Sequence, residues 1–580
     1  MSFLRTRLMT AYRAKLYPNY WDILALLFVF AAISLFAWNA KQMTTPYHLG
    51  EVIPISLDPS MLPFYASRTV VRMLIALLLS LLFTFIFGTW AAKSKRAEGI
   101  IIPVIDVLQS VPILGFLSVT VAGFIALFPG SMLGPECATI FAIFTSQAWN
   151  MALGFFQTVR SVPAEVSEAA RMFHLTAWHR FWRIEVPYSM PSLLWNAMAS
   201  MSAGWFFVVA AEAITVSNQQ ILLPGIGSYI AVAITNANMH AIGYAIFTMF
   251  IVILLYDQLL FRPLVAWSEK FKSEQEATDK VAESWVINLF RRTRLLRDMG
   301  HKLTDLFNAL IAIRVFRTKK AAIVITPKKA NYEWINNWLW HGMICLIVIS
   351  SFLFLSHYIV QNIAMSEIIH VFVLGLITTC RVFILIVLCS LIWVPVGIWI
   401  GLRPGATRWA QPIAQLLAAF PANLFYPLVV VPIVYYHLNP SIWLTPLMIL
   451  GAQWYILFNV IAGASSLPKD LIQVADNFGA TGWLRWRRLL LPAIFPYYIT
   501  GAITAAGGAW NASIVSEVAS WGNEKLVAVG LGAYISEYTT MGTFSRTALG
   551  IGVMCLIVLM INHLIWRPLY QYAENRFLAE

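Results

Sequence analysis

The sequence predicts an all-α membrane protein of about twelve transmembrane helices, arranged as two parallel repeats of six. Three observations predict it: an apolar composition, regularly spaced apolar runs and an internal duplication. Of the 580 residues, 59% are hydrophobic and only 12% are charged, and the mean hydropathy is +0.71. A typical soluble domain carries roughly 25% charged residues. This chain therefore has too little polar surface to cover a soluble protein of its size.

Twelve apolar runs are long enough to cross a bilayer, which takes about 20 apolar residues in a helix. Those of the first half are 21–38, 73–92, 100–128, 137–159, 192–216 and 241–261. Those of the second half are 338–360, 382–402, 413–436, 442–464, 494–519 and 547–566.

The basic residues give the orientation of these spans. If the N-terminus is cytoplasmic, 34 of the 40 lysines and arginines fall on the cytoplasmic side. Because cytoplasmic loops carry this excess, we expect both termini to face the cytoplasm of a bacterial inner (plasma) membrane. The net charge of +13 therefore reflects topology. The basic residues form no domain with interleaved aromatics, so no nucleic-acid partner is expected.

The second half of the chain repeats the first in the same direction. An offset of 305 residues pairs Trp205 with Trp510, and an offset of 309 pairs Arg72 with Arg381. Matching segments fall on the same side of the membrane, which predicts a pseudo-twofold axis along the membrane normal. The expected domains are a first half at 1–267 (core repeat 69–271), a cytoplasmic linker at 268–336 and a second half at 337–580 (core repeat 378–577).

The second part of the linker, 285–316, alternates Leu, Phe and Ile with arginine at helical spacing. This pattern is typical of a basic amphipathic helix that lies on the anionic inner leaflet. It fits equally well a connector helix that packs on the protein, and both interpretations stay open.

One polar loop in each half has the same pattern, a proline followed by acidic and then small residues. A proline and early acidic residues start a helix with favourable charge at its positive end. A short helix of this kind between two spans can enter a groove on another protein. The residues expected to matter there are Pro163, Glu165, Glu168, Ala169, Ala170 and His174 in the first loop, and Pro468, Asp470, Gln473, Ala475 and Gly479 in the second.

Together the two loops resemble the signature loop of the permeases of binding-protein-dependent type I ABC importers. That signature is Glu-Ala-Ala, three residues, Gly, nine residues and Ile-x-Leu-Pro. The first loop keeps Glu-Ala-Ala at 168–170, and the second keeps the glycine at 479 and Leu-x-Leu-Pro at 489–492. The resemblance covers 69–271 and 378–577, and the run 483–517 is most similar to the nitrate, sulfonate and taurine branch.

This resemblance implies a type I importer permease with both halves fused in one chain. The two loops would be coupling helices that dock on two ABC ATPase subunits in the cytoplasm, and those subunits would bind ATP and Mg²⁺. A periplasmic binding protein would deliver a small polar solute, anionic by analogy with the branch. His174 stands where the family has a glycine, which tolerates positive φ, so we expect the two halves to engage their ATPases unequally.

The chain has no motif of its own for chemistry. It contains no GxxxxGK[ST] phosphate loop and no HExxH or GxSxG motif, so it carries no Walker-type nucleotide site. Its five cysteines lack the spacing of a zinc site. We therefore expect a transport permease with no catalytic residue, metal or cofactor, and not an enzyme.

Eight polar or aromatic residues are candidates for the solute pathway or its gate. They are Arg72, Asn196, Trp205 and Glu212, with Arg381, Trp510, Asn511 and Glu517 in the second half. The glutamates lie about 31 Å beyond a proline of the fifth span, near the outer face, as gating groups or hydrogen-bonded helix ends. The tryptophans and asparagines either line a central path or pack against other helices. The arginines either attract anions or reach for the membrane interface.

Two other functions fit a twelve-span chain. A secondary transporter in the major facilitator style is also a parallel duplication, but it needs charged relays at mid-membrane, and here Arg and Glu cluster near helix ends. A membrane enzyme needs an acid–base or metal cluster at the interface, and none stands out. The paired loops favour the importer, and the secondary transporter remains the alternative.

Overall fold

A computed structural model describes residues 20–271, 285–312 and 356–577, apart from 49, 52, 111, 217, 218 and 294, with scattered positions between 342 and 354. Helices make up most of this part of the chain. Inside a bilayer no water satisfies the backbone, and a helix bonds its own N–H and C=O groups. The all-α membrane architecture predicted from the sequence is confirmed.

The first half contains twelve α-helices, three π turns and one β-hairpin in its described residues. The α-helices are Tyr20–Gln42, Leu62–Phe83, Thr89–Lys93, Lys95–Ser110, Ile113–Leu127, Leu133–Arg160, Ala164–Met172, Ala177–Arg180, Val186–Glu212, Ile226–Thr235, Met239–Tyr256 and Arg262–Ser268. The π turns are Thr84–Gly88, Phe181–Glu185 and Asp257–Phe261, and 3-10 turns occur at Pro59–Met61 and Glu269–Phe271. Strands β1 (Ala213–Val216) and β2 (Gln219–Leu222) pair antiparallel, with Ala213 opposite Leu222.

The second half repeats this order. Its described α-helices are Met365–Gly401, Pro404–Ala419, Tyr426–Tyr435, Pro440–Trp443, Gln453–Ser465, Lys469–Asn477, Gly482–Arg485, Leu491–Ser516, Leu531–Met541, Phe544–Ile561 and Arg567–Phe577. The 3-10 turns are Ala422–Phe425 and Thr445–Met448, and the π turns are Trp486–Leu490 and Asn562–Trp566. Strands β3 (Val518–Trp521) and β4 (Glu524–Val527) form the second hairpin. Both π turns lie 305 residues after a π turn of the first half, so even this irregularity is duplicated.

Seven helical segments of the described chain are long and apolar enough to cross a membrane, or up to ten if three bent pairs count as single spans. The predicted span 137–159 lies in Leu133–Arg160, which is long enough but less apolar because of residues such as Gln147 and Asn150. The predicted span 338–360 lies largely outside the described residues.

Several predicted span limits are wrong. The helix of the span placed at 73–92 already begins at Leu62, and the spans placed at 100–128 and 413–436 are each two helices joined by a sharp bend. The spans placed at 192–216 and 494–519 end too late, because their helices stop at Glu212 and Ser516 and short strands follow. Residues 214–216 are β-branched and favour an extended backbone. The span placed at 382–402 is the end of a 37-residue helix that begins at Met365.

Two linker helices, Trp285–Arg292 and Leu295–Ala312, cover most of the predicted amphipathic segment. The Arg292 guanidinium lies 5.6 Å from the Trp21 ring centroid, so one of these helices contacts the first helix of the chain. Whether their other face lies on the inner leaflet stays a prediction.

The hydrophobic core joins the two halves through exchanged segments. Ile113, Leu117 and Val121 of the first half pack in the main core of the second half. In return, Phe420 and Leu424 pack in the core of the first half. The two segments are near-equivalent at the 309-residue offset, so the exchange follows the pseudo-twofold axis.

Candidate functional site

The two polar loops form matching surface helices. Ala164–Met172 and Lys469–Asn477 are each nine residues long, and each begins after a proline at the N-cap. Among the candidate residues Glu165, Glu168, Ala169, Asp470 and Gln473 are exposed. Ala170 is buried, whereas its counterpart Ala475 is half-buried. We call these two segments the first and second coupling helix.

Both coupling helices end in the same left-handed turn. His174 has φ of 51° and Gly479 has φ of 63°. After them, the N–H of Leu175 bonds the carbonyl of Ala170 at 3.0 Å, and that of Ala480 bonds Ala475 at 2.9 Å. These are the bonds of a Schellman cap. The first loop therefore makes the glycine-type turn with a histidine, at a cost of about 1 kcal/mol.

Large apolar side chains stand exposed beside each coupling helix. Phe173 is 79% exposed and the equivalent Phe478 is 85% exposed. Behind them the loops differ, since Trp178 packs on the rings of Phe181 and Trp182, whereas its counterpart Trp483 is 71% exposed. The coupling helices thus expose similar apolar side chains, but the tryptophan that follows each of them is packed in the first loop and exposed in the second.

A cavity of about 640 Å³ lies between the two halves and is lined by residues of both. Three of the candidate pathway residues, Asn196, Trp510 and Asn511, line it. The Asn511 side-chain oxygen also accepts a hydrogen bond at 2.9 Å from the N–H of Ile113 in the other half. Trp205 does not reach the cavity: it is buried and packs edge-on against Tyr256, with ring centroids 5.4 Å apart.

The candidate Arg72 and Glu212 lie instead in a buried ion cluster at the end of the fifth span. Arg72 Nη1 is 2.7 Å from Glu212 Oε1, and Arg72 Nε is 2.6 Å from Glu136 Oε2. Arg68 completes the cluster at 2.6 Å from Glu136. We call Arg68, Thr69, Arg72, Glu136 and Glu212 the first clasp.

The carboxylate of Glu212 ties three segments of chain together. It accepts hydrogen bonds from the Thr69 hydroxyl at 2.6 Å and from the N–H of Gly227 at 2.7 Å. The latter N–H belongs to the start of the following helix, where a carboxylate is favoured by the helix dipole. A side chain at Gly225 would collide with the carboxylate, so this glycine permits the close approach.

The second clasp, Thr378, Arg381 and Glu517, keeps only part of this arrangement. Glu517 accepts from the Thr378 hydroxyl at 3.0 Å and from the N–H of Ala533 at 2.9 Å. Its ion pair with Arg381 is longer, 3.4 Å. None of the three arginines of the clasps lines the cavity, and each is paired with a glutamate, so this arrangement gives no support to an anion-attracting ring.

Sequence reasoning missed Arg68 and Glu136. Arg68 lies four residues before Arg72 and shares its helix face, which was a usable signal. Glu136 begins a span and resembles an ordinary flanking charge, and no local pattern joins it to residues 64 positions earlier.

The sequence also matches known proteins. The family described as binding-protein-dependent transport system inner membrane component matches residues 84–262 and 393–576. A nitrate import permease of Leptolyngbya laminosa is 28% identical over 185 residues, which is 32% of this chain and 63% of that protein. A glycine betaine/carnitine transport permease of Listeria monocytogenes is 27% identical over 210 residues, 36% of this chain and 67% of that protein.

A bicarbonate transport system permease of Synechocystis sp. is 26% identical over 176 residues, which is 30% of this chain and 59% of that protein. The chain thus spans about three fifths to two thirds of the length of these relatives. Each match takes about a third of this chain, and the family match occurs once in each half.

Proposed function

The chain belongs to the family of inner membrane components of binding-protein-dependent transport systems, and we propose that it forms the complete transmembrane pathway of an ATP-driven ABC importer. Two family segments in one chain supply both permease halves. The proposed route for the solute is the cavity that both halves line. The family membership favours this function over a secondary transporter.

The two coupling helices carry the proposal for energy supply. Each exposes a phenylalanine, Phe173 or Phe478, at the end of a nine-residue helix. Such a helix with a protruding apolar residue suits a groove on another protein. We propose that two ABC ATPase subunits bind there in the cytoplasm, hydrolyse ATP with Mg²⁺, and alternate the access of the cavity.

The proposed setting is a bacterial inner membrane with both termini in the cytoplasm and a periplasmic binding protein on the other side. The similar proteins are named for nitrate, bicarbonate and glycine betaine/carnitine. Those solutes are small and polar but differ in charge. We therefore propose a small polar solute, with its charge decided by the cavity.

The test is to purify the tagged full-length chain from the membrane of the organism that encodes it. We expect ATPase subunits to co-purify and ATP hydrolysis to be lost from Phe173→Asp and Phe478→Asp variants, because a charge there is excluded from an apolar groove. Both side chains are largely exposed, so folding should be unaffected.

Tyr436→Asp is the matched control, because Tyr436 is also an exposed aromatic residue but caps the helix Tyr426–Tyr435 and not a coupling helix. It should keep both the ATPase and its activity. A chain that purifies alone and still transports solute in ATP-depleted vesicles would replace the importer with the secondary transporter.

A further inference from the structure

The wall of the central cavity is poor in charge. Among the described residues that line it, Asp106 is the one charged side chain, and none is a lysine or arginine. Arg567, which is not a lining residue, acts electrostatically on Asp106. The wall is therefore neutral or negative, and it offers no fixed positive charge to a solute.

Two asparagines of the wall occupy matching places in the two halves, but on different spans: the asparagine and the glycine of the pair change places between the repeats. In the first half Asn196 of the fifth span packs on Gly154 of the fourth. In the second half Asn459 of the fourth span packs on Gly501 of the fifth. At the offset of 305, Asn196 corresponds to Gly501 and Gly154 to Asn459. Each half thus places one asparagine between these two spans, with its amide against the glycine in the first half and its Cβ against the glycine in the second.

These amides present acceptor oxygens. Asn196 Nδ2 donates to the carbonyl of Ser192 at 2.9 Å, and Asn459 Nδ2 donates to the carbonyl of Tyr455 at 2.8 Å. Neither amide oxygen accepts a hydrogen bond from the described residues, so both oxygens are open to a ligand. Such oxygens suit N–H donors and positive charge better than anions.

Aromatic rings from the two halves meet beside these amides. Trp195 stacks on Phe458 with ring centroids 5.7 Å apart, and each ring directly precedes one of the two asparagines. Both rings line the cavity, together with Trp149 and Trp510. The faces of aromatic rings attract cationic nitrogen, including quaternary ammonium.

We propose that the cavity carries a small solute with a positively charged nitrogen and no net negative charge, recognised by amide oxygens, aromatic faces and Asp106. This inference rests on the proposed importer function and specifies its cargo. A simple anion would meet a carboxylate and acceptor oxygens on a wall to which the described residues contribute no lysine or arginine. Zwitterions and simple cations share the required nitrogen, and the uptake experiment below separates them.

The first test measures the charge preference of the cavity directly. In a chain whose five cysteines are replaced by alanine, Thr504→Cys places a thiol on the cavity wall. Thr235→Cys is the matched control, since both threonines are exposed and each bonds the carbonyl four residues earlier. Rates of modification by a trimethylammonium and a sulfonate methanethiosulfonate reagent are compared at each site.

We expect the cationic reagent to be favoured roughly tenfold at Thr504→Cys relative to Thr235→Cys, as a focused negative potential would produce. Adding Asp106→Asn should reduce this preference, and adding Asp257→Asn, a carboxylate away from the cavity, should not. A preference near one, or one for the sulfonate, would overturn the proposal.

The second test is uptake in the organism that encodes the chain, with its own partner subunits. Cells lacking the chain, and cells with it restored, are given labelled glycine betaine, choline, nitrate or bicarbonate. Restored uptake of glycine betaine alone assigns a zwitterion, and restored uptake of choline assigns a cation. ATP-dependent uptake of nitrate or bicarbonate would overturn the cargo while leaving the importer intact, whereas loss of ATPase co-purification would overturn the importer itself.

Discussion

The two clasps bury an equivalent glutamate at the end of the fifth span of each half, but they do so with different numbers of charged residues. Both hold a glutamate between a threonine hydroxyl and the N-terminus of a following helix. The first clasp adds Arg68 and Glu136, whose equivalents are Ile377 and, by the two offsets, Ser441 or Thr445. The threonine and glutamate are therefore the shared framework, and the additional acid and base occur together so that the buried charge stays balanced.

The largest effect expected from this difference follows Glu136→Gln. The change leaves Arg68 and Arg72 buried with one carboxylate between them, and breaking a buried ion pair costs about 3–5 kcal/mol. The thermal unfolding midpoint of the purified chain should fall by many degrees. Glu367→Gln, which breaks the partly exposed pair with Arg546, is the control and should shift the midpoint far less. Equal shifts would mean that the first clasp contributes no more than a surface pair.

A second experiment converts the first clasp toward the second. Arg68→Ile with Glu136→Ser removes one charge of each sign, so the double variant should be about 2 kcal/mol more stable than Glu136→Ser alone. Unfolding midpoints of the two single variants and the double variant complete the cycle. A double variant as unstable as the sum of the singles would show that the two residues act independently.

Glu212→Gln and Glu517→Gln compare the shared framework itself. Each keeps the shape of the side chain and loses its charge. Because Glu212 faces Arg72 at 2.7 Å and Glu517 faces Arg381 at 3.4 Å, the first change should cost more, by about 1–2 kcal/mol. The same melting measurement checks the order, and a reversed order would contradict the importance assigned to the shorter pair.

The smallest effect concerns the caps of the coupling helices. His174→Gly should stabilise the first cap by about 1 kcal/mol, and Gly479→His should weaken the second by a similar amount. Amide hydrogen exchange at Leu175 and Ala480 reports each cap separately. Unchanged exchange at both amides would mean that the left-handed turn is not strained by a side chain.

Hydropathy and the repeat offset were enough to predict the helical membrane architecture, the coupling helices and their matching boundaries. Each of those features follows from a local pattern, and the repeated ones recur 305 or 309 residues later. The spacing of Arg68 and Arg72 was a local signal, but the first clasp as a whole was not predictable, because its glutamates are joined to these arginines and to Thr69 by packing across 64 to 143 residues. The hairpins were missed because the first strand of each, Ala213–Val216 and Val518–Trp521, is mostly apolar and was counted wholly or partly into the predicted span before it.

The residues of the cavity wall were predicted only in part. Asn196 and Asn511 were expected on a central path, and both line the cavity, whereas the expected Trp205 is enclosed in the core of its own half. The pairing of Asn196 with Gly154 and of Asn459 with Gly501 could have been predicted by aligning the two halves at the offset of 305 residues. It was missed because an identity search passes over positions where the two halves differ.

The exchanged core segments carry a consequence for biosynthesis. Ile113, Leu117 and Val121 are translated more than 400 residues before Val553, their companion in the second core. At roughly 5–20 residues per second, the nascent first half waits on the order of 20–90 s with an unpaired apolar surface in the membrane. A chain truncated after the linker should therefore be degraded faster than the full-length chain, because this apolar surface stays unpaired although every span of the first half is present.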